Sequence, residues 1–136
     1  MKILLDTNIV LDLLMQREPF FNDALKIFNQ IESGRHEAFL CATTITTMHY
    51  LLTKHSSKVE SKKSMQLLLK LFDIAPVNKD VLTLAEKVDF SDYEDAVIYA
   101  SAKKIDIEAI ITRNEKDFVK SDIPVFSPIA FNDVTI

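Results

Sequence analysis

The chain has 136 residues, 48% apolar and 26% charged, with 16 basic against 20 acidic side chains and a net charge of −4. That is the length of one ordinary domain (1–136) and the composition of a soluble globular protein, without the overall basic footprint of many nucleic-acid binders, although a local basic rim would still serve. One cysteine, Cys41, excludes an intrachain disulfide, no apolar run approaches the roughly 20 residues that cross a bilayer, and one glycine, Gly34, cannot build a Walker loop or a dinucleotide turn.

In chain order the pattern alternates. Residues 2–5 read as a buried strand and 8–15 (NIVLDLLM) as a helix. In 20–33, Phe21, Ala24, Leu25, Phe28 and Ile31 recur at helical spacing, and Gly34 stops the element. A short apolar strand (37–42) precedes two helices (43–54 and 58–72). A weak strand (74–77) is followed by helices over 79–88 and 93–105. Then come a strand at 108–112, one short helical turn in NEKDF, a last strand at 124–127 and a short C-terminal helix. Such alternation predicts an α/β fold with a central parallel sheet and helices on both faces. The stretch KHSSKVESKK (54–63), with Lys54, Lys58, Lys62 and Lys63, reads as a solvated face. Residues 1–15 lack the pattern of a signal peptide, so a cytoplasmic protein without membrane attachment is expected.

The acids fall at strand ends. Asp6 directly follows the first strand. Thr112, Asn114 and Asp117 follow the strand 108–112, and Asp92, Glu94 and Asp95 open the helix that feeds it. In an open parallel sheet the ligand site lies beyond the carboxyl ends of the strands. Carboxylates repel at close range unless a cation sits among them, and an oxygen-rich cluster selects Mg²⁺ or Mn²⁺. The simpler alternative is capping: Asp6 or Thr7, Ser91 with Glu94 or Asp92 with Asp95, and Asn114 with Asp117 all stand where helix caps stand. Capping alone does not explain three acids at neighbouring strand ends.

Three segments, LLDTNIVLDLL, DYEDAVIYASA and IITRNEKDF, in this order, resemble a PIN domain over essentially the whole chain. The resemblance is greatest to the branch with an REPF segment after the first helix, here Arg17-Glu18-Pro19-Phe20. It implies a three-layer α/β/α sandwich and a metal-dependent ribonuclease using Mg²⁺ or Mn²⁺. It also implies the toxin role of a toxin–antitoxin pair, with RNA as substrate, a cognate antitoxin as partner and a homodimeric state. Asp6, Asp95 (in D-x-x-I-x-A with Ile98 and Ala100) and Asp117 match three of the family's acids. Asp92, one turn before Asp95, is a further metal-ligand candidate.

Asn8, Thr112 and Asn114 are expected as auxiliary hydrogen-bonders. Arg113 and Lys116 are expected at RNA phosphates, with ordinary surface charge as the alternative. The family's second acid, a glutamate on the helix after strand two, is missing. The alignment puts Met48 there, with His49 beside it as an auxiliary candidate. The gap sustains an alternative function, a catalytically weakened or inactive PIN-like module that binds RNA or a protein. A phosphoacceptor signalling domain is a third reading, but it needs an aspartate at the end of the central strand, and Asp80 lies too far into the next helix.

Overall fold

The computed structural model describes residues 1–136. Five strands, β1 (Lys2–Leu5), β2 (Glu37–Cys41), β3 (Asp73–Ala75), β4 (Ala109–Ile111) and β5 (Val125–Phe126), form one parallel sheet in the order β3-β2-β1-β4-β5. Seven helices surround it: α1 (Thr7–Leu14), α2 (Phe21–Glu32), α3 (Ala42–His55), α4 (Lys58–Leu71), α5 (Lys79–Lys87), α6 (Tyr93–Lys104) and α7 (Pro128–Thr135). A 3₁₀ turn, Glu115–Phe118, links β4 towards β5.

Both sheet faces are dry, because successive strand residues point to opposite sides and both sides are apolar. Ile3, Leu5, Leu40 and Ile111 pack with Ile9, Ile27, Phe28, Met48, Leu68 and Phe131 from α1, α2, α3, α4 and α7. Leu4, Phe39, Cys41 and Ile110 pack on the opposite side with Val81, Ala85 and the interior of α6. This is the expected three-layer α/β/α sandwich. In α6 every residue from Ala96 to Ala102 is buried, and its small alanines let it lie close against its neighbours. Cys41 is core, as its place in an apolar strand suggests.

Element ends have local causes. Gly34 sits at φ 81° and closes α2, with Gly34 N–H donating to the Ile31 carbonyl and Arg35 N–H to that of Gln30. β3 stops at Ala75, short of the expected 77, because Pro76 has no N–H to offer the ladder. β5 is only two residues long because Ser127 already caps α7, its hydroxyl oxygen accepting from Ala130 N–H.

β1 is the pivot. The chain passes from β1 to β2 on one side, and β4 lies on the other. The order therefore reverses between β1 and β4, and a crevice opens where the loops leaving these two strands part.

Candidate active site and metal centre

Asp6 stands at that reversal. Its backbone N–H continues the ladder by donating to the Ile111 carbonyl at 2.9 Å, and its side chain caps α1. Carboxylate Oδ1 accepts from Thr7 N–H at 2.7 Å. Oδ2 accepts from the Thr112 hydroxyl at 2.8 Å and from Asn8 Nδ2 at 3.4 Å. The Thr112 hydroxyl in turn accepts from Asn114 N–H at 3.0 Å, and Asn8 Oδ1 accepts from Arg113 N–H at 3.3 Å. The carboxylate is thus fixed by β1, α1 and the loop after β4 together. Capping and a site role are not alternatives for Asp6, since one oxygen caps while the other faces β4.

Asp95 lies in the first turn of α6, half-buried. Its carboxyl is pushed up to about 7, first by burial and then by the charges of Asp6, Asp92, Asp117 and Glu94. Asp6 is also raised, mainly by burial, with Asp117 adding to the rise, while the hydrogen bonds from Thr112 and Thr7 and the charge of Arg113 oppose it. Asp6, Asp95 and Asp117 therefore lie in one electrostatic neighbourhood. Asp117 sits in the 3₁₀ turn, whose next residue, Phe118, is buried against Phe90 and anchors it. Asp92 is exposed and caps α6, Oδ1 accepting from Glu94 N–H at 3.1 Å.

Three expected residues are placed differently. Arg113 is held by Asp12, with Nε at 2.6 Å from Oδ2 and an Nη at 3.2 Å from Oδ1, and its guanidinium lies 3.8 Å above the Phe20 ring centre. Its charge serves a buried partner rather than the surface. Lys116 is exposed. Met48 has no exposed surface and packs with Ile9 and Leu52, so it does not occupy the position of a missing ligand. His49 is exposed and touches none of the acids; only its carbonyl is used, by the Ser61 hydroxyl. The face of α3 that meets the site is threonine-rich. Thr44 is buried, with its hydroxyl 2.9 Å from that of Thr7. One turn on, Thr47 is half-buried with its hydroxyl unpartnered. Thr47 lies one residue and about 100° round the helix from the Met48 of the sequence alignment.

The residue missed in the sequence is Asp12. It is 1% exposed, in the middle of an apolar helix, and also lies 3.9 Å from Arg17. The available signal was an acid flanked by leucines, since a carboxylate on such a helix must find a cation when buried.

The PIN domain matches residues 2–116 of the chain. The chain belongs to the PIN-domain family. Ribonuclease VapC1 of Aquifex aeolicus is 25% identical over 96% of this chain and 92% of that protein. The structure of FitAcB from Neisseria gonorrhoeae superposes with a TM-score of 0.75 at 21% identity, covering 93% of this chain and 98% of that one. That of DNA-bound VapBC from Salmonella typhimurium gives 0.71 at 14% identity, covering 94% and 98%. At these identities the two structures speak for the fold.

The donor chemistry of this PIN domain fits a hard divalent cation: Asp6, Asp95 and Asp117 offer only oxygen, and the mutual repulsion that adds to the burial-driven rise of Asp6 and Asp95 is what a cation would relieve. No three of the His, Cys, Asp and Glu side chains are already drawn to direct ligand spacing. Asp6 is fixed by its hydrogen bonds, so any adjustment falls to the half-buried Asp95 and Asp117.

Proposed function

We propose that this PIN domain, residues 1–136 acting as one unit, is a metal-dependent endoribonuclease that cuts RNA and serves as the toxin of a toxin–antitoxin pair. The observation that carries the reading is the Asp6–Thr112 hydrogen bond at the β1/β4 reversal, with Asp6 and Asp95 both raised by burial and, after it, by the neighbouring charges: Asp117 on Asp6, and Asp6 and Asp117 on Asp95. The relative named a ribonuclease, and the likeness to toxin–antitoxin complexes, support it. The assembly proposed is a cytoplasmic homodimer bound by a cognate antitoxin.

Asp6 is the rigid anchor, and Asp95 and Asp117 complete a set for Mg²⁺ or Mn²⁺, with Asp92 nearby. A cation held by these carboxylates would lower the pKa of a water and offset phosphate charge. Thr112 and Asn8 keep Asp6 oriented, Asn114 braces Thr112, and Lys116 is left to meet a phosphate. The absence of an acid at Thr47 favours the second reading, a weakened enzyme that mainly binds RNA or protein.

The test is RNA cleavage by the purified protein with Mg²⁺ or Mn²⁺, stopped by a chelator and abolished in Asp6→Asn, which keeps size and capping ability but loses the charge. Metal-independent cutting, or an Asp6→Asn protein as fast as the parent, would overturn the reading. For the toxin role, expression should arrest bacterial growth, and co-expression of a neighbouring antitoxin gene should restore it.

A further inference from the structure

A cavity of about 390 Å³, within the size range of small-ligand sites, opens between the start of α2, the loop after β4 and the start of α7. Its wall carries Phe20, Asp23, Arg113, Ser127 and Ile129. Arg113 joins it to the active site. It follows Thr112, which holds Asp6, and its own N–H is bonded to Asn8. An RNA strand with a phosphate at Asp6 therefore has its neighbouring base within reach of Arg113.

The lining has the chemistry of base recognition. Single-stranded RNA bases are read by stacking on aromatic rings or guanidinium planes and by hydrogen bonds to their pairing edges. Here the Arg113 guanidinium lies over the Phe20 ring and is held by Asp12. Asp23 is half-buried, and its carboxylate has neither a hydrogen-bond nor an ion-pair partner within the protein. The Ser127 oxygen accepts from Ala130 N–H, so its hydroxyl proton is free to donate outward.

We infer that this cavity binds the nucleobase next to the scissile phosphate and that it selects guanine. Only guanine offers two adjacent donors, N1–H and N2–H, to the two oxygens of one carboxylate, with an acceptor, O6, beside them for Ser127. Adenine, cytosine and uracil each present one donor group on that edge, so they leave an Asp23 oxygen unpaired. The role as a substrate subsite rests on the ribonuclease reading; the pocket's preference for guanine does not.

The experiment is therefore a binding measurement. Amide spectra of the ¹⁵N-labelled protein are followed during titration with guanosine, adenosine, cytidine and uridine. Guanosine should shift the amides around Asp23, Arg113 and Ser127 more than the other three do. Asp23→Asn should weaken guanosine binding about tenfold or more, the discrimination a two-point base contact provides. Equal shifts for all four nucleosides, no shifts at these residues, or unchanged binding in Asp23→Asn would overturn the inference. Guanosine binding without RNA cleavage would sink the ribonuclease reading alone, and cleavage without guanosine binding would sink the pocket alone.

Discussion

Asp12 and Arg113, 101 positions apart, meet in a two-point ion pair that ties α1 to the loop after β4. Asp12 is 1% exposed, so removing Arg113's charge would leave a buried carboxylate with only Arg17, at 3.9 Å, to face. Breaking a buried pair from one side costs more than replacing both members, because the survivor stays unpaired. Arg113→Met should therefore destabilise the protein by about 3 kcal/mol, and Asp12→Leu with Arg113→Met by clearly less. Urea unfolding of both variants measures this; a double variant as unstable as the single would show that the pair itself is not what matters.

The same pair makes sense of the REPF segment. Arg17 faces Asp12 and Phe20 underlies Arg113, so both ends of the segment wrap this interaction.

Asp95 gives a pH prediction. Its carboxyl is raised from 3.8 to about 7 in the folded protein, so folding favours its protonated form. A group raised on folding contributes stability that is present at low pH and lost as pH climbs through the folded value. Metal-free protein should thus lose stability between about pH 4 and 7 through this group, and Asp95→Asn should remove that loss. In chelator at pH 8 the variant should melt higher than the parent, while its Mn²⁺ affinity falls. A variant that melts lower in chelator at pH 8 would contradict the crowding of the acids.

How much of this was legible in the sequence depended on how local the cause was. Asp6 stood out because an apolar strand ended on a carboxylate, and Asp95 and Asp117 because they begin helical segments near a strand end. Strand order is non-local and could not be read, although the β1/β4 reversal is what turns Asp6 and Thr112 into neighbours. On α3, TTITT offers no polar marker of which side faces in. The sequence alignment puts the missing acid at Met48, which is core, and this leaves the half-buried Thr47 beside it as the candidate position. Arg113 looked like a surface cation because its partner, Asp12, lies 101 positions away.

Two helix ends set up a backbone prediction. α1 ends with Gln16 at φ 49°, in the left-handed region, where Gln16 N–H donates to the Leu13 carbonyl and Arg17 N–H to that of Asp12. The same closing pattern at α2 uses Gly34, which fits it without a Cβ penalty. Gln16→Gly should therefore stabilise by about 0.5–1 kcal/mol, and Gly34→Ala should destabilise by about 1 kcal/mol. A Cβ at Gly34 would meet nothing within 4 Å, so the cost there is purely conformational. Thermal melts in which both changes are silent would show that these ends relax.

The gap on α3 can be filled. Thr44 touches Thr7, the residue after Asp6, and Thr47 is one turn further on, half-buried and unpartnered. A glutamate at 47 would add a fourth carboxylate reaching towards Asp6 without displacing core. At position 48 the same side chain would replace a methionine with no exposed surface and bury an unpaired charge. Thr47→Glu should fold and bind Mn²⁺ more tightly than the parent, because each added anionic ligand strengthens a hard-cation site. Met48→Glu should lose several kcal/mol of stability, about the cost of an uncompensated buried charge. Isothermal titration with Mn²⁺ and melting of both variants separate the positions. Tighter binding in Met48→Glu with full stability would return the gap to Met48 and show that the face of α3 towards the site has been misread.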